Sequence, residues 1–132
     1  MNKVALAVIF SLLTTTAMAL QGEGPLVRVA ETSLRRAASK MVLPEYPKGE
    51  EQVSGVSVAE IITDVNGNVS QVDILEAPSK SAADSMRNAI NQWKFRLSYR
   101  DGKAVRYVSK LTFYFSFKHG KGQVRNPKVL EK

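Results

Sequence analysis

The sequence contains no cysteine and a single histidine, and both shortages limit the chemistry open to it. Without cysteine the chain forms neither disulfides nor thiolate metal sites. His119 stands beside Gly120 in a loose segment between two lysines, which is typical of a solvated side chain rather than an acid–base catalyst. No serine or threonine has another local base that could activate it as a nucleophile. The sequence therefore predicts no catalytic residue, no metal site and no cofactor, and the protein is not expected to be an enzyme.

One group of oxygen-bearing side chains follows part of a calcium-loop pattern. Asp64, Asn66 and Asn68 have the D-x-N-x-N spacing of the first half of an EF-hand loop. That pattern continues with a glycine and a later glutamate, but Gly67 comes too early and Glu76 lies where the turn does not return it. The segment therefore predicts a turn and not a calcium site.

The first nineteen residues, MNKVALAVIFSLLTTTAMA, have the layout of a secretory signal peptide. Lys3 precedes an apolar run over residues 4–13, and Ala17 and Ala19 form the A-x-A pattern of a cleavage site. An uncleaved membrane anchor is the alternative, because the apolar stretch extends to residue 20 and a spanning helix needs at least about 17 residues. The run of threonines and the A-M-A site favour cleavage, so we expect residues 1–19 to be removed and the remainder to be exported.

Length and charge limit how the chain is organised and what it binds. Its 132 residues are enough for one domain of ordinary size and too few for two. A net charge of +7 gives the chain a mild preference for anionic surroundings, such as an acidic partner or a membrane surface. Because an exported chain rarely meets nucleic acid, we predict no nucleic-acid partner.

A first amphipathic helix is predicted over Leu26–Val42, in an N-terminal region that covers residues 20–42. Apolar residues recur there at helical spacing, while Arg35 and Arg36 fall on the opposite, polar side. The apolar positions are Val27, Ala30, Leu34, Ala37, Ala38 and Met41. The pattern favours a helix packed on the body of the domain, and a basic helix lying on an anionic membrane is the alternative.

Two strands are predicted on either side of Asn66-Gly67, at about residues 56–63 and 70–76. The Asn-Gly pair is a strong hairpin signal because a primed turn needs positive φ angles. In the first strand Ala59 and Ile61 point one way, and a second set of apolar residues points the other way. That second set is Val56, Val58 and Ile62. Apolar residues on both faces predict cover on both sides, either from the N-terminal helix or from a second copy of the chain.

A second helix and a long final strand are predicted in the C-terminal half. The helix opens at Ser81, which has capping-box spacing to Asp84, and its apolar residues recur up to Trp93, which we expect to anchor the core. Alternation of apolar and polar residues within Arg106–Lys118 predicts a strand of about eleven residues, Tyr107–Phe117, with one buried face. The basic tail over residues 119–132 lacks periodicity and is expected to be flexible.

Five short segments, taken in order, resemble the C-terminal domain of the TonB family. They are PEYP (44–47), Gly55 with its valine-rich strand, NGNV (66–69), AINQWKF (89–95), and GKAV followed by an aromatic strand (102–117). The resemblance covers about residues 43–118. It implies an α+β domain, a three-stranded antiparallel sheet of β-β-α-β order with one helix packed on a face, here preceded by the extra amphipathic helix.

The same resemblance implies a kind of partner and a place to bind it. Members of the family lie in the periplasm of Gram-negative bacteria and contact outer-membrane receptors, whose short TonB box joins the sheet as an added strand. On this chain the receiving edge would belong to the last strand, and the arm after the first helix would lie near the peptide. The edge residues are Tyr107, Val108, Ser109, Lys110, Leu111, Thr112, Phe113 and Tyr114, and the arm residues are Glu45, Tyr46 and Pro47.

Strand addition is physically reasonable at such an edge. An edge strand presents unpaired N–H and C=O groups to an incoming peptide, and Lys110 and Lys118 limit indiscriminate pairing there. The leading hypothesis is therefore a periplasmic protein-binding module, accessory to TonB-dependent transport, that takes no small-molecule substrate. Two alternatives remain: a self-associating structural or assembly protein of the cell envelope, present as a homodimer, and an energy transducer anchored in the inner membrane if residues 1–19 are retained.

Overall fold

A computed structural model describes residues 24–49 and 52–127 of the protein. The predicted signal peptide and the last five residues of the tail lie outside this part. In chain order the elements are β1 (Leu26–Arg28), α1 (Glu31–Ala37), β2 (Ala38–Lys40), β3 (Gly55–Thr63), β4 (Val69–Glu76), α2 (Lys80–Ile90), β5 (Lys94–Phe95), β6 (Tyr99–Arg100), β7 (Lys103–Ala104), β8 (Arg106–Lys118) and β9 (Lys121–Arg125).

The predicted α+β class is confirmed. Five strands form the main sheet in the order β1-β8-β3-β4, with β9 also paired to β8. The three strands predicted from the sequence are its antiparallel centre, since β3 pairs with β4 on one side and with β8 on the other. The additional strands β1 and β9 both pair with β8, the first in parallel and the second antiparallel. The sheet is therefore wider than predicted, and it is wider on the β8 side.

The N-terminal helix is much shorter than predicted. Only Glu31–Ala37 is helical, and residues on either side of it are extended. Before it, Val27 pairs with Tyr107 of β8, and after it, Ala38 pairs with Phe95 of β5. Periodicity over Leu26–Val42 was a misleading signal because pairing with distant strands outweighs a weak local preference for helix.

The second helix begins earlier than its capping-box signal indicates. The N-cap is Ser79, whose hydroxyl oxygen accepts a hydrogen bond from the Ala82 N–H group at 3.0 Å. Ser81, predicted to be the cap, therefore lies inside the first turn. The buried face of α2 follows helical spacing and consists of Ala82, Met86, Ala89 and Ile90.

The core lies between one face of the sheet and both helices. Trp93 and Phe113 are almost fully buried and meet edge to face, with ring centroids 6.2 Å apart. This confirms Trp93 as a core anchor. Leu34 of α1 belongs to the same buried cluster, so α1 and α2 pack on the same face. Burial of these large apolar side chains provides most of the favourable free energy of folding.

Among the described residues, the second face of β3 is only partly covered, contrary to expectation. Because α1 packs on the same side of the sheet as α2, it does not cover the apolar residues that point away from the core. Val58 and Ile62 are half-buried there, and Val56 is 39% exposed. Tyr114, which lies opposite Val56 in the β3–β8 register, is 37% exposed. The prediction that the N-terminal helix covers this face is wrong.

The tail predicted to be flexible contributes a strand instead. A turn with positive φ at His119 and Gly120 reverses the chain, and β9 then pairs with β8 from Lys118↔Lys121 to Tyr114↔Arg125. At Gly122 a Cβ atom would overlap the ring of Tyr46, so only glycine allows this close approach. The strand is short and polar, which is why its sequence carries no clear period.

Candidate functional site

The predicted docking strand lies near the centre of the sheet, with partners on both sides. Its inner side pairs with β3 from Gly55↔Phe115 to Ile62↔Val108. On its outer side, β1 pairs with Arg106–Val108 and β9 pairs with Tyr114–Lys118. Within the described part of the chain, residues 109–113 are the stretch of this outer edge that no strand covers. We refer to residues 109–113 as the edge gap.

Two side chains of α1 fill the edge gap at Thr112. The carboxylate of Glu31 accepts hydrogen bonds from the Thr112 N–H group at 2.7 Å and from the Thr112 hydroxyl at 2.8 Å. The guanidinium of Arg35 donates to the Thr112 carbonyl oxygen at 2.7 Å. The two outward backbone groups of Thr112 are therefore both satisfied by side chains, at a position where a neighbouring strand would otherwise bind them.

Arg35 and Glu31 form a partly buried ion pair one helical turn apart, with 3.1 Å between Nη2 and Oε2. A second hydrogen bond of Arg35, 2.7 Å long, runs from Nη1 to the Oδ1 atom of Asn126, just after β9. Its guanidinium carbon also lies 5.7 Å from the Trp93 ring centroid. Burial lowers the pKa of Arg35 from its ordinary value, and attraction to and hydrogen bonding with Glu31 oppose that shift.

The side chains of the predicted edge residues divide into two groups. One group is buried and belongs to the core or to the sheet: Val108, Ser109, Leu111 and Phe113. Lys110 and Tyr114 are exposed, while Tyr107 and Thr112 are half-buried. The buried Ser109 hydroxyl donates to the Val29 carbonyl oxygen at 2.7 Å and so ties β8 to the chain after β1. A partner arriving at this edge would meet backbone and the side chains of Lys110 and Thr112.

The predicted arm lies beside the far end of β8, next to β9. Tyr46 is half-buried, and its ring centroid is 6.4 Å from that of Phe115 and 6.1 Å from that of Phe117. Its hydroxyl donates to the Val53 carbonyl oxygen at 2.8 Å. Glu45 is exposed, and its carbonyl oxygen accepts a hydrogen bond from the Ser85 hydroxyl of α2. The arm therefore adjoins the β9 end of the strand rather than the edge gap.

Sequence reasoning missed Glu31 and Arg35. The i,i+4 spacing of an acidic and a basic residue was visible, but this spacing usually marks an exposed helix pair. Helical periodicity placed Arg35 on the polar side, whereas it is 8% exposed in the structure. No local signal distinguishes a buried arginine from a surface one, because its burial depends on β8, which lies far along the chain.

The described residues contain no group of three or more His, Asp or Glu side chains that could hold a metal ion. The Asp64 carboxylate accepts hydrogen bonds from the Asn66 and Asn68 N–H groups at 2.8 and 3.0 Å, as turn residues commonly do. Neither helix in the described part of the chain is long and apolar enough to span a membrane.

Comparison with known proteins gives the same family as the sequence resemblance. The family model "Gram-negative bacterial TonB protein C-terminal" matches residues 42–117. A solution NMR structure of the Pseudomonas aeruginosa TonB CTD superposes with a TM-score of 0.54 at 22% identity, covering 64% of this chain and 88% of that one. A search of curated proteins found no match. The family match spans more than half of the chain, and the chain belongs to the TonB C-terminal domain family.

Proposed function

We propose that this chain is a periplasmic protein-binding module that engages an extended segment of a partner by strand addition to the outer edge of β8, as an accessory to TonB-dependent transport. Domains of this family in general engage outer-membrane transporters. The observation that carries the proposal is the edge gap: no described strand covers residues 109–113 of the longest strand, between two short strands that cover its ends.

The edge gap offers backbone hydrogen bonds to an added strand. Backbone groups along an antiparallel strand alternate in direction, so Lys110 points its N–H and C=O groups to the same side as Thr112. About four hydrogen bonds at a net ~1 kcal/mol each would correspond to a dissociation constant on the order of 1 mM for an edge whose groups are all free. Because the two bonds at Thr112 replace those of Glu31 and Arg35, the edge gap alone binds more weakly than that. A partner that also replaces β9 along Tyr114–Lys118 exchanges the existing bonds there as well, so its side-chain contacts have to supply the remaining affinity.

Location and further contacts follow from the same proposal. Removal of residues 1–19 as a signal peptide would release the domain into the periplasm, and retention would anchor it in the inner membrane. A peptide that extends toward β9 would reach the arm at Tyr46, whose ring lies beside Phe115 and Phe117 at the end of β8, with Glu45 and Pro47 as its neighbours in the chain. Receptor-derived segments are the expected partners, because extended peptides gain affinity from main-chain bonds that depend little on sequence.

Peptide titration tests the proposed site directly. Addition of a synthetic TonB-box peptide from an outer-membrane transporter, at millimolar concentration, is expected to shift the backbone amide resonances of residues 107–117. Resonances of β4, at the opposite edge of the sheet, serve as the internal control and are expected to stay in place. Unchanged resonances along β8 at millimolar peptide would rule out strand addition at this edge.

Self-association is a second candidate function, because Val56 and Tyr114 expose apolar surface side by side on the second face of the sheet. Under this alternative, sedimentation of the full chain shows a dimer whose fraction rises with protein concentration. Val56→Lys is then expected to return the protein to monomer, while Ser70→Lys, on the exposed part of β4, adds the same charge without effect. A monomer at all concentrations would count against this function.

A further inference from the structure

The Glu31–Arg35 pair occupies the edge gap in the way that a residue of a neighbouring strand would. A strand residue offers one carbonyl oxygen to accept from an outward N–H group and one N–H group to donate to an outward carbonyl oxygen. At Thr112 the Glu31 carboxylate accepts from the N–H group at 2.7 Å, and the Arg35 guanidinium donates to the carbonyl oxygen at 2.7 Å. An added strand and the ion pair cannot bind these groups together.

We propose that the Glu31–Arg35 pair is a releasable closure of the β8 edge, which an extended partner segment displaces from Thr112. The inference rests on the proposed strand addition and specifies how that site is regulated. In the free chain the closure keeps the middle of the edge satisfied, so that other strands do not pair with it. When a partner binds, its backbone takes over the two hydrogen bonds that the pair makes to Thr112.

The position of Glu31 makes the closure easier to open than the rest of the edge. Glu31 is the first residue of a seven-residue helix whose N-cap makes no side-chain hydrogen bond. So short a helix has little stability of its own and frays at its ends. The helix is held one turn later, where Leu34 is fully buried and Arg35 lies against Trp93. Glu31 can therefore withdraw while Leu34 holds α1 on the core, and the Arg35 guanidinium needs only to turn away from the Thr112 carbonyl oxygen to free it.

The closure has a measurable cost for binding. If the open edge is a minor state, the apparent dissociation constant equals the intrinsic one divided by the open fraction. In variants without the closure, the apparent dissociation constant for the same peptide is then expected to fall to the intrinsic value, that is, by a factor equal to the inverse of the open fraction. They are also expected to lose protection of the Thr112 amide from hydrogen exchange, because its acceptor is gone.

The test compares the full chain with a double variant, Glu31→Ala with Arg35→Met. Removing both charges together avoids leaving one of them buried without a partner. Arg36→Met, which changes an exposed arginine of the same helix, is the matched control. We expect Thr112 to exchange at least about 10-fold faster in the double variant, with the amides of β3 unchanged. The dissociation constant for the TonB-box peptide is expected to fall at least about fivefold.

The outcomes separate this inference from the function on which it rests. Unchanged exchange at Thr112, or equal affinity of the two proteins for the peptide, overturns the closure while strand addition stands. Absence of binding to both proteins overturns strand addition, and the inference with it. Should the double variant fail to fold, Glu31→Gln keeps the shape of the side chain and weakens its acceptor. Faster exchange at Thr112 in that variant supports the closure, and unchanged exchange overturns it.

Discussion

Replacing Arg35 with alanine is expected to lower the free energy of unfolding by about 3 kcal/mol, because it breaks a partly buried ion pair, leaves the remaining partner uncompensated and removes the packing of the arginine side chain. The lost partners include the Thr112 carbonyl oxygen and the Asn126 Oδ1 atom, both 2.7 Å from guanidinium nitrogens, and the Glu31 carboxylate at 3.1 Å. The guanidinium carbon also lies 5.3 Å from the Phe113 ring centroid. Alanine removes all of these contacts together.

Urea unfolding of the two proteins measures this difference, by linear extrapolation to water. Arg36→Ala removes the same charge and the same side-chain atoms from an exposed position on α1, and it is expected to change the free energy of unfolding by no more than about 0.5 kcal/mol. A loss below about 1 kcal/mol for Arg35→Ala, the range of an exposed ion pair, would show that Arg35 does not join α1 to the sheet as described.

The parts of the fold that sequence analysis predicted correctly are those with a long local period. Alternation identified β8 with an error of one residue at each end. Helical spacing identified α2, although the predicted helix begins two residues late, after Ser81, and continues to Trp93, three residues beyond Ile90. In both elements the apolar residues repeat often enough to determine the buried face. Phe113 and Phe115 are buried against the helix side of the sheet, as the alternation predicts.

The parts that sequence analysis missed depend on contacts with distant residues. β1 has three residues and β9 has five, and neither is a strand except through its pairing with β8. A short segment with a few apolar residues is compatible with helix, strand or tail, and only the edge of β8 decides among them. The same limit applies to Arg35, whose burial requires Trp93 and Phe113 to form a surface for it.

These misses alter the view of the candidate site. The sequence predicts that the last strand is an open edge, at which lysines limit indiscriminate pairing and a partner strand can bind. In the structure the ends of that edge are covered by β1 and β9, and its middle is bound by side chains of α1 at Thr112. Strand addition therefore becomes an exchange of hydrogen bonds rather than a simple gain. An exchange of this kind favours weak and reversible binding, because the Thr112 groups of the edge are already satisfied in the free chain.

Trp93→Ala is the second change with a large expected effect, a loss of about 3–5 kcal/mol in the free energy of unfolding. Trp93 is 1% exposed, and its ring lies between α1, β5 and β8. Its Nε1–H group donates to the Val42 carbonyl oxygen at 2.8 Å and so fixes the start of the arm. Alanine leaves a cavity among these elements and an unsatisfied carbonyl group beside it.

Thermal unfolding followed by far-UV circular dichroism measures this loss without relying on tryptophan fluorescence. A destabilisation of this size is expected to lower Tm by more than about 10 °C in a domain of about 100 residues. Tyr99→Ala removes an aromatic ring that is 66% exposed, and its Tm is expected to stay within about 3 °C of the original. Trp93→Phe keeps an aromatic ring but loses the hydrogen bond to Val42. Its Tm is therefore expected to lie between that of the original protein and that of Trp93→Ala. If Trp93→Phe and Trp93→Ala unfold at the same temperature, the hydrogen bond to the arm, rather than the ring, carries the effect.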